Sequence, residues 1–535
     1  MNNRNQGQSQ GGFLSKRGKK SPFGLNGVFQ AMFTANRLFE IWHNHHGRSV
    51  AQKNAAFNHQ KIIENIVSGR QENVGLGSLD DAIEAGFRND FCGPFLGFID
   101  GYPMFLPWDY HISTCSFPGG GKSSTVSIPA TISLSMGKTP ESIVVLDIKG
   151  EMSWCTAEGR AELDGIEPIF INPWNMNEFP NHCLNVFSDI TDLAQRGHKI
   201  VDQAKRKIFQ RFGDPNRFGA NSWIHKDASR IADCFLVELA TNSPVTCNPA
   251  TFWDIGTYTH EEFKMSLERM TESSAGEGYV ARVAKKLFDQ YGEKSDQWEW
   301  VMEAFTDAFS LYAEGSVLRA SCTKTDFDAR LLKDRPQAIY VMVPDKYIDS
   351  HGTYVADVLE YLVTAIASAD GNVRTTFMLD EFVNIPRVQS MMKALRLYRS
   401  RLIRIWTFAQ DRNGYNQYKD DGGYMPFEET AITLSWAVAG QHAKDLSEKG
   451  GYRSELVATP STNAGVGAET GGLSASEVQV PNLPLSQISQ DFEGKAILDA
   501  KSKIYVIDRK PWWEIHWLKD FIRDQRNFPM PHFEG

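Results

Sequence analysis

Three consecutive glycines, Gly119, Gly120 and Gly121, stand directly before Lys122, Ser123 and Ser124. Backbone N–H groups of such a turn point at the phosphates of a nucleotide, a lysine reaches the outer phosphates, and the hydroxyl that follows ligates Mg²⁺. The stretch from Ser116 through Phe117 and Pro118 to Ser124 therefore reads as a phosphate-binding loop, with Pro118 to Ser124 as the residues in contact with nucleotide. It lies between an extended segment, His111 to Cys115, and a helix-forming segment that opens at Ser123. The full pattern G-x-x-x-x-G-K-[ST] asks for glycine where this chain has Ser116. A serine forced to positive φ at that place costs roughly 1 kcal/mol or more. An isolated match of this kind also fits a plain surface turn, so other residues must decide.

Two carboxylates supply the second element. Thr375 to Leu379 is an apolar strand that delivers Asp380 and Glu381 at its C-terminal edge, where ligands bind in open α/β sheets. Asp380 is expected to position Mg²⁺ through its water shell, and Glu381 to orient and polarise the attacking water. A third strand, Ile403 to Ala409, ends in Gln410, whose amide is placed to sense a γ-phosphate between the two other loops. Between the acids and Gln410 runs a helix with the apolar stripe Val388, Met391, Met392, Leu395 and Tyr398. Its other side carries Lys393, Arg396 and Arg399, followed by Arg401 and Arg404. A solvated basic face explains these residues. The sharper alternative makes Arg399 an arginine finger acting on a phosphate held by a neighbouring subunit, which requires a ring.

These side chains need a scaffold. The runs Ile143 to Leu146, Ile169 to Ile171, Ala338 to Val343, Thr376 to Leu379, Leu402 to Phe408 and Ile432 to Val438 have the continuous apolar character of parallel strands covered on both faces. Separated by helical segments, they predict a doubly wound, mostly parallel α/β sheet. Short strands and turns are expected over residues 75–110. From Asp189 to Tyr312 only amphipathic helical patterns occur, such as Ala228 to Leu239 with Ile231, Ala232, Phe235, Leu236 and Leu239 on one stripe. The predicted organisation is a basic N-terminal segment (1–50), the first part of the nucleotide-binding domain (51–188), an inserted all-α domain (189–318) and the second part of the nucleotide-binding domain (319–535). Thr459 to Pro484, rich in Ser, Thr, Gly and Asn, reads as a long surface loop.

Composition narrows the class. A formal net charge of −9 over 535 residues does not suggest a basic surface wrapped around duplex DNA. The seven cysteines are scattered and never spaced C-x-x-C, which disfavours a disulfide scaffold or a zinc site and fits a reducing cytoplasm. No stretch approaches the length of a membrane-spanning helix, and no secretion signal is apparent. The first fifty residues carry seven Lys/Arg against one acidic residue. Residues 1–22 read as disordered, and from Leu25 onward Val28, Phe29, Met32, Phe33 and Phe39 recur at helical spacing. That helix fits either an anionic membrane surface or ordinary packing on the protein.

Together these motifs resemble the TraG/VirD-type coupling proteins of type IV secretion and conjugation. The resemblance runs through Ser123 to Glu151, with Ile128-Pro129 after the loop and Val144-Val145-Leu146-Asp147-Ile148-Lys149-Gly150-Glu151. It continues at Ile171-Asn172-Pro173, Thr325-Asp326-Phe327-Asp328, Ile339-Tyr340-Val341, Leu379-Asp380-Glu381-Phe382 and Gln410, and covers about residues 76–520. It implies a RecA-like P-loop ATPase using ATP and Mg²⁺, with Lys122, Ser123, Asp380, Glu381 and Gln410 in the nucleotide site and Arg399 as arginine finger. It further implies a homo-hexamer at the cytoplasmic face of a bacterial inner membrane. Such a ring receives a relaxase with single-stranded DNA, or protein effectors, and works with channel ATPases and inner-membrane components. The same resemblance implies that the all-α domain takes part in substrate recognition. Family members usually begin with two transmembrane helices, and none is expected here. A peripheral anchor in residues 1–50 and recruitment by a separate membrane subunit both remain open. Two other readings are a non-hydrolysing nucleotide-binding receptor and a duplex DNA pump of the FtsK kind. The latter shares the motor chemistry but not the Asp147 to Glu151 segment.

Overall fold

Apolar runs become strands here because helices cover them on both sides. The computed structural model describes residues 76–531 apart from 88–90, 107–108, 466–467, 491–493 and 502. The expectations for residues 1–75, the basic segment and its amphipathic helix included, lie outside the described residues. The described strands are β1 (Phe95–Ile99), β2 (Tyr102–Phe105), β3 (His111–Ser116), β4 (Ser142–Asp147), β5 (Ile169–Ile171), β6 (Ala338–Met342), β7 (Thr375–Leu379), β8 (Ile403–Ala409), β9 (Ala431–Trp436), β10 (Tyr452–Gly465), β11 (Ala468–Pro481), β12 (Lys495–Asp499) and β13 (Ile504–Asp508).

Eleven strands form one sheet in the order β2-β1-β13-β12-β9-β3-β8-β7-β4-β6-β5. From β9 to β5 every neighbouring pair is parallel. Beyond β9 the strands β12, β13, β1 and β2 continue the sheet antiparallel. The parallel part is the doubly wound sheet the apolar runs predict. Strands β12 and β13 were not expected from sequence. The central strands β3, β4, β7, β8 and β9 are buried along their whole length. Parallel pairing brings the C-terminal ends of β3, β8, β7 and β4 to a single edge of the sheet. Residues Cys115 and Ala409 are direct partners, as are Leu379 and Thr407.

The glycine loop leads into a π-helical turn, Ser123–Ser127, closed by the Ile128 N–H donating to Ser123 O. Pro129, which has no N–H to give, follows at the start of the α-helix Ile128–Met136. That helix is buried from Ile128 to Ser135 and packs on the helix Glu151–Asp164. Arg160, buried between them, donates to Thr131 O at 3.1 Å and Glu141 O at 2.9 Å and pairs with Asp164 at 2.8 Å. With its donors satisfied, the buried guanidinium pins the two helices together rather than costing an unpaired charge.

At the opposite edge of the sheet, Arg404 corrects an expectation. It does not extend the solvated basic face beyond Arg401. Its guanidinium is buried and donates to Glu141 Oε2 at 2.6 Å, Thr376 Oγ1 at 3.1 Å and Tyr110 O at 3.2 Å. As the second residue of β8 it lies inside the sheet, where pairing with buried Glu141 and hydrogen bonds to its neighbours make its charge tolerable. The predicted basic helix is also shorter than its apolar stripe: only Met391–Leu397 is α-helical, and Tyr398–Arg401 forms a 3₁₀ turn.

Between β5 and β6 the elements from Ser188 to Ser321 are all helical among the described residues, as the periodicity indicates. The long helix Ser222–Asn242 buries Ile231, Ala232, Phe235 and Leu236. The helix Val201–Phe212 ties this region to the helix Ile348–Ser368 and to the segment before Met391. Buried Arg211 pairs with buried Asp357, and Arg206 with Glu360 at 2.5 Å. Gln210 donates to Arg387 O at 2.9 Å and accepts from Gln389 N at 2.8 Å. No described helix is long and apolar enough to cross a membrane.

The described residues divide into two units, 76–449 with 485–531, and 450–484. In the second, β10 and β11 pair antiparallel from Tyr452 opposite Pro481 to Gly465 opposite Ala468. The expected surface loop over Thr459 to Pro484 is thus mostly a hairpin. Val457, Thr459 and Thr462 favour extended backbone, but without an apolar run the segment has the composition of a loop.

Candidate functional site

Strand β3 ends at Ser116, which is buried and paired with Trp436 of β9. Ser116 is therefore extended. The left-handed backbone falls on Gly119 (φ 76°) and Gly121 (φ 74°), where glycine carries no steric cost. Gly120 is needed for space: a Cβ there lies 2.5 Å from Ser116 Oγ and 3.0 Å from Trp436 Nε1. The glycine missing from the motif is consequently not demanded by backbone conformation, and the expected cost of positive φ at Ser116 does not arise.

The loop feeds the first helical turn. The Gly121 carbonyl accepts from Thr125 N at 2.9 Å, Thr125 Oγ1 at 2.8 Å and Ser124 Oγ at 3.3 Å, so the Ser124 hydroxyl serves the loop backbone. Lys122 folds back over the loop. Its Nζ donates to Ser116 O at 3.2 Å and lies 3.9 Å from Glu381 Oε1.

Glu381 sits two residues past the end of β7 at φ 47°, ψ 36°, a left-handed conformation uncommon for a side chain of its size. That turn sets its carboxylate between Lys122 and Gln410, whose Nε2 lies 3.3 Å from each of its oxygens. Strand β8, carrying Gln410, lies between β3 and β7, so the amide stands between the other two loops as its order in the chain suggests. Burial, reinforced by neighbouring Glu381 and opposed by Lys122, pushes the Asp380 carboxyl up to about 7. A group so placed favours its charged form once a cation is near. The hydroxyl of Ser123 and the carboxylate of Asp380 are hard oxygen donors of the type Mg²⁺ takes, a cation that completes its shell with water and phosphate. Among the described residues no cluster of three or more His, Cys, Asp or Glu could hold a metal by itself.

This arrangement of loop, acids and amide on one sheet edge is accompanied by a sequence match. The family model described as type IV secretory system conjugative DNA transfer matches residues 47–481.

The chain belongs to that family.

Solved structures agree on the fold of this family member. The bacterial conjugative coupling protein TrwB, in a trigonal form with sulphate, superposes with a TM-score of 0.57 at 12% identity, covering 82% of this chain and 93% of that one. The plasmid coupling protein TrwB in complex with ADP and Mg²⁺ gives 0.57 at 13%, covering 82% and 94%. The same protein with the non-hydrolysable ATP analogue ADPNP gives 0.57 at 12%, covering 82% and 93%. At these identities the likeness shows the fold, a RecA-like P-loop arrangement with an all-α region. No curated relative matches the chain.

Within the family member, Lys122, Asp380, Glu381 and Gln410 come together, and Ser123 lies in the adjoining turn. Arg399 does not join them. It is exposed, its guanidinium 5.8 Å from the ring of Tyr110, next to His111 where β3 begins, and so at the far edge of the sheet from the loop. Asp147 of the Asp-x-Lys-Gly-Glu segment is buried and accepts from Ser153 N at 2.7 Å, capping the helix that follows. Two further residues touch the loop and escaped the reading of the sequence. Trp436 and Arg509 both donate to Gly120 O. Arg509 lies 389 positions from Gly120, directly after β13, so no local pattern marks it.

Proposed function

We propose that this protein is an ATP-hydrolysing coupling protein that receives a relaxase with its DNA, or protein effectors, and passes them to a type IV secretion channel. The observation that carries the reading is the convergence of Lys122, Glu381 and Gln410 within 3.9 Å contacts, beside Asp380, at the end of a glycine loop. Family membership and the ADP-, Mg²⁺- and ADPNP-bound structures of TrwB support nucleotide as the ligand.

In this reading Pro118 to Ser124 cradle the phosphates, and Lys122 leaves Glu381 to meet the outermost one. Glu381, so released, orients water for attack, and Gln410 fixes the angle of its carboxylate. Mg²⁺, held by Ser123 and Asp380, supplies charge neutralisation of the phosphates. Arg399, exposed and remote from the site of its own chain, serves the site of a neighbour in a homo-hexamer. The all-α domain, residues 189–318, receives substrate, and the ring works at the cytoplasmic face of the inner membrane.

Steady-state ATP turnover with and without single-stranded DNA tests this. Stimulated turnover that Lys122→Ala abolishes is the expected result. Nucleotide binding without turnover by the wild-type ring supports a receptor instead, and ATP-driven movement along duplex DNA supports a pump of the FtsK kind.

A further inference from the structure

The Gly120 carbonyl is gripped from two sides. Trp436 Nε1 donates to it at 2.7 Å and an Arg509 terminal nitrogen at 3.0 Å, and both residues are buried. The guanidinium lies 4.2 Å from the Trp436 ring centroid, so each donor also holds the other. The same Arg509 nitrogen is 3.3 Å from Thr125 Oγ1 in the first helical turn, and Arg509 Nε donates to Lys495 O at 3.2 Å in β12. One side chain from the antiparallel end of the sheet therefore meets the glycine loop, the turn behind it and its own neighbouring strand.

A loop of three glycines needs such a grip. Peptide units between glycines rotate readily, because neither flanking residue excludes positive φ. A trans peptide sets its C=O and the next N–H in opposite directions. Holding the Gly120 carbonyl toward Trp436 and Arg509 accordingly turns the Gly121 N–H the other way, and without that hold the peptide is free to flip and set a carbonyl against the phosphates.

We propose that Arg509, acting with Trp436 on the Gly120 carbonyl, is a positioning residue that keeps the glycine loop in its anion-binding conformation. The inference rests on the reading of that loop as a nucleotide site. Its effect falls on nucleotide affinity, since neither residue belongs to the group that orients water.

The test measures binding of a fluorescent ATP analogue with Mg²⁺, together with kcat and KM, in the full-length protein. Arg509→Ala is expected to weaken binding and raise KM by about tenfold or more, with kcat at saturation within about threefold. Trp436→Phe keeps an aromatic ring and removes the donor, and it shifts affinity the same way. The double variant is expected to fall short of the product of the two effects, because both act on one carbonyl. Arg509→Lys keeps the charge without the planar fork and is expected to stay near the alanine variant. Wild-type affinity in Arg509→Lys, or unchanged affinity in variants whose melting point has dropped, overturns the proposal. If Arg509→Ala does not fold, Trp436→Phe decides alone. Absence of binding by the wild-type protein refutes the nucleotide reading itself, an outcome distinct from normal binding by both wild type and variants.

Discussion

Gln410 places its amide nitrogen 3.3 Å from both carboxylate oxygens of Glu381, across the gap between the ends of adjacent strands β8 and β7. These are long contacts, shared between two acceptors, and they bias the orientation of Glu381 without locking it. The arrangement suits a residue that must exchange a lysine partner for a water molecule during turnover.

Removing that constraint affects chemistry more than binding. Gln410→Ala is expected to lower kcat by about 10- to 100-fold, the range for a lost hydrogen bond to a charged group, with KM within a few-fold. Steady-state kinetics check this, and a rise in KM at constant kcat assigns Gln410 to ground-state binding instead.

The Asp380 carboxyl gives the nucleotide-free protein a pH signature. Its folded pKa, about 7, lies above the unfolded value of 3.8, so the fold disfavours the ionised form. The penalty is absent below the unfolded pKa, grows by roughly 1.4 kcal/mol per pH unit between the two values, and is complete above about pH 7. Asp380→Asn is therefore expected to raise the denaturation midpoint at about pH 8 and to leave it nearly unchanged near pH 4. In the wild type, Mg²⁺-nucleotide affinity is expected to fall below pH 7 as the cation competes with a proton. Midpoint measurements across this range test the sign directly.

Ser116 is extended and Gly120 is crowded, so the two positions respond oppositely to mutation. Ser116→Gly is expected to leave turnover within about threefold, because no positive φ is relieved. Gly120→Ala brings a Cβ to 2.5 Å from Ser116 Oγ and 3.0 Å from Trp436 Nε1 and is expected to cost nucleotide affinity by about 100-fold or more. Affinity measurements on both variants separate a backbone requirement from a packing one.

At the far edge of the sheet, Glu141 and Arg404 form a buried pair that also engages Thr376. Glu141→Ala leaves the guanidinium of Arg404 without its carboxylate and is expected to destabilise the sheet by about 3–5 kcal/mol. Thermal unfolding of the variant checks this.

The parallel sheet was legible because β4 and β6 are buried throughout and read as nearly continuous apolar runs, and β7, β8 and β9 as mostly apolar ones. Asp380, Glu381 and Gln410 stood out because each follows such a run, and Lys122 because three glycines precede it. What escaped depends on distant partners. The helix expected from Val388 begins only at Met391; the Val388 N–H donates to Tyr418 Oη at 3.1 Å and the Ser390 N–H to Glu360 Oε2 at 2.7 Å. Arg404 looked like part of a basic face until Glu141 was set beside it. Trp436 and Arg509 declare their role only when β9 and β13 bring them to Gly120. Sequence could pose the question of Ser116, but only the backbone at the end of β3 answered it.

The most direct test of the central claim is a comparison of Glu381→Gln with wild type, measuring nucleotide binding and ATP hydrolysis in the same preparations. Unchanged affinity with turnover reduced by about 10²- to 10³-fold is the predicted result. Wild-type turnover in Glu381→Gln contradicts it.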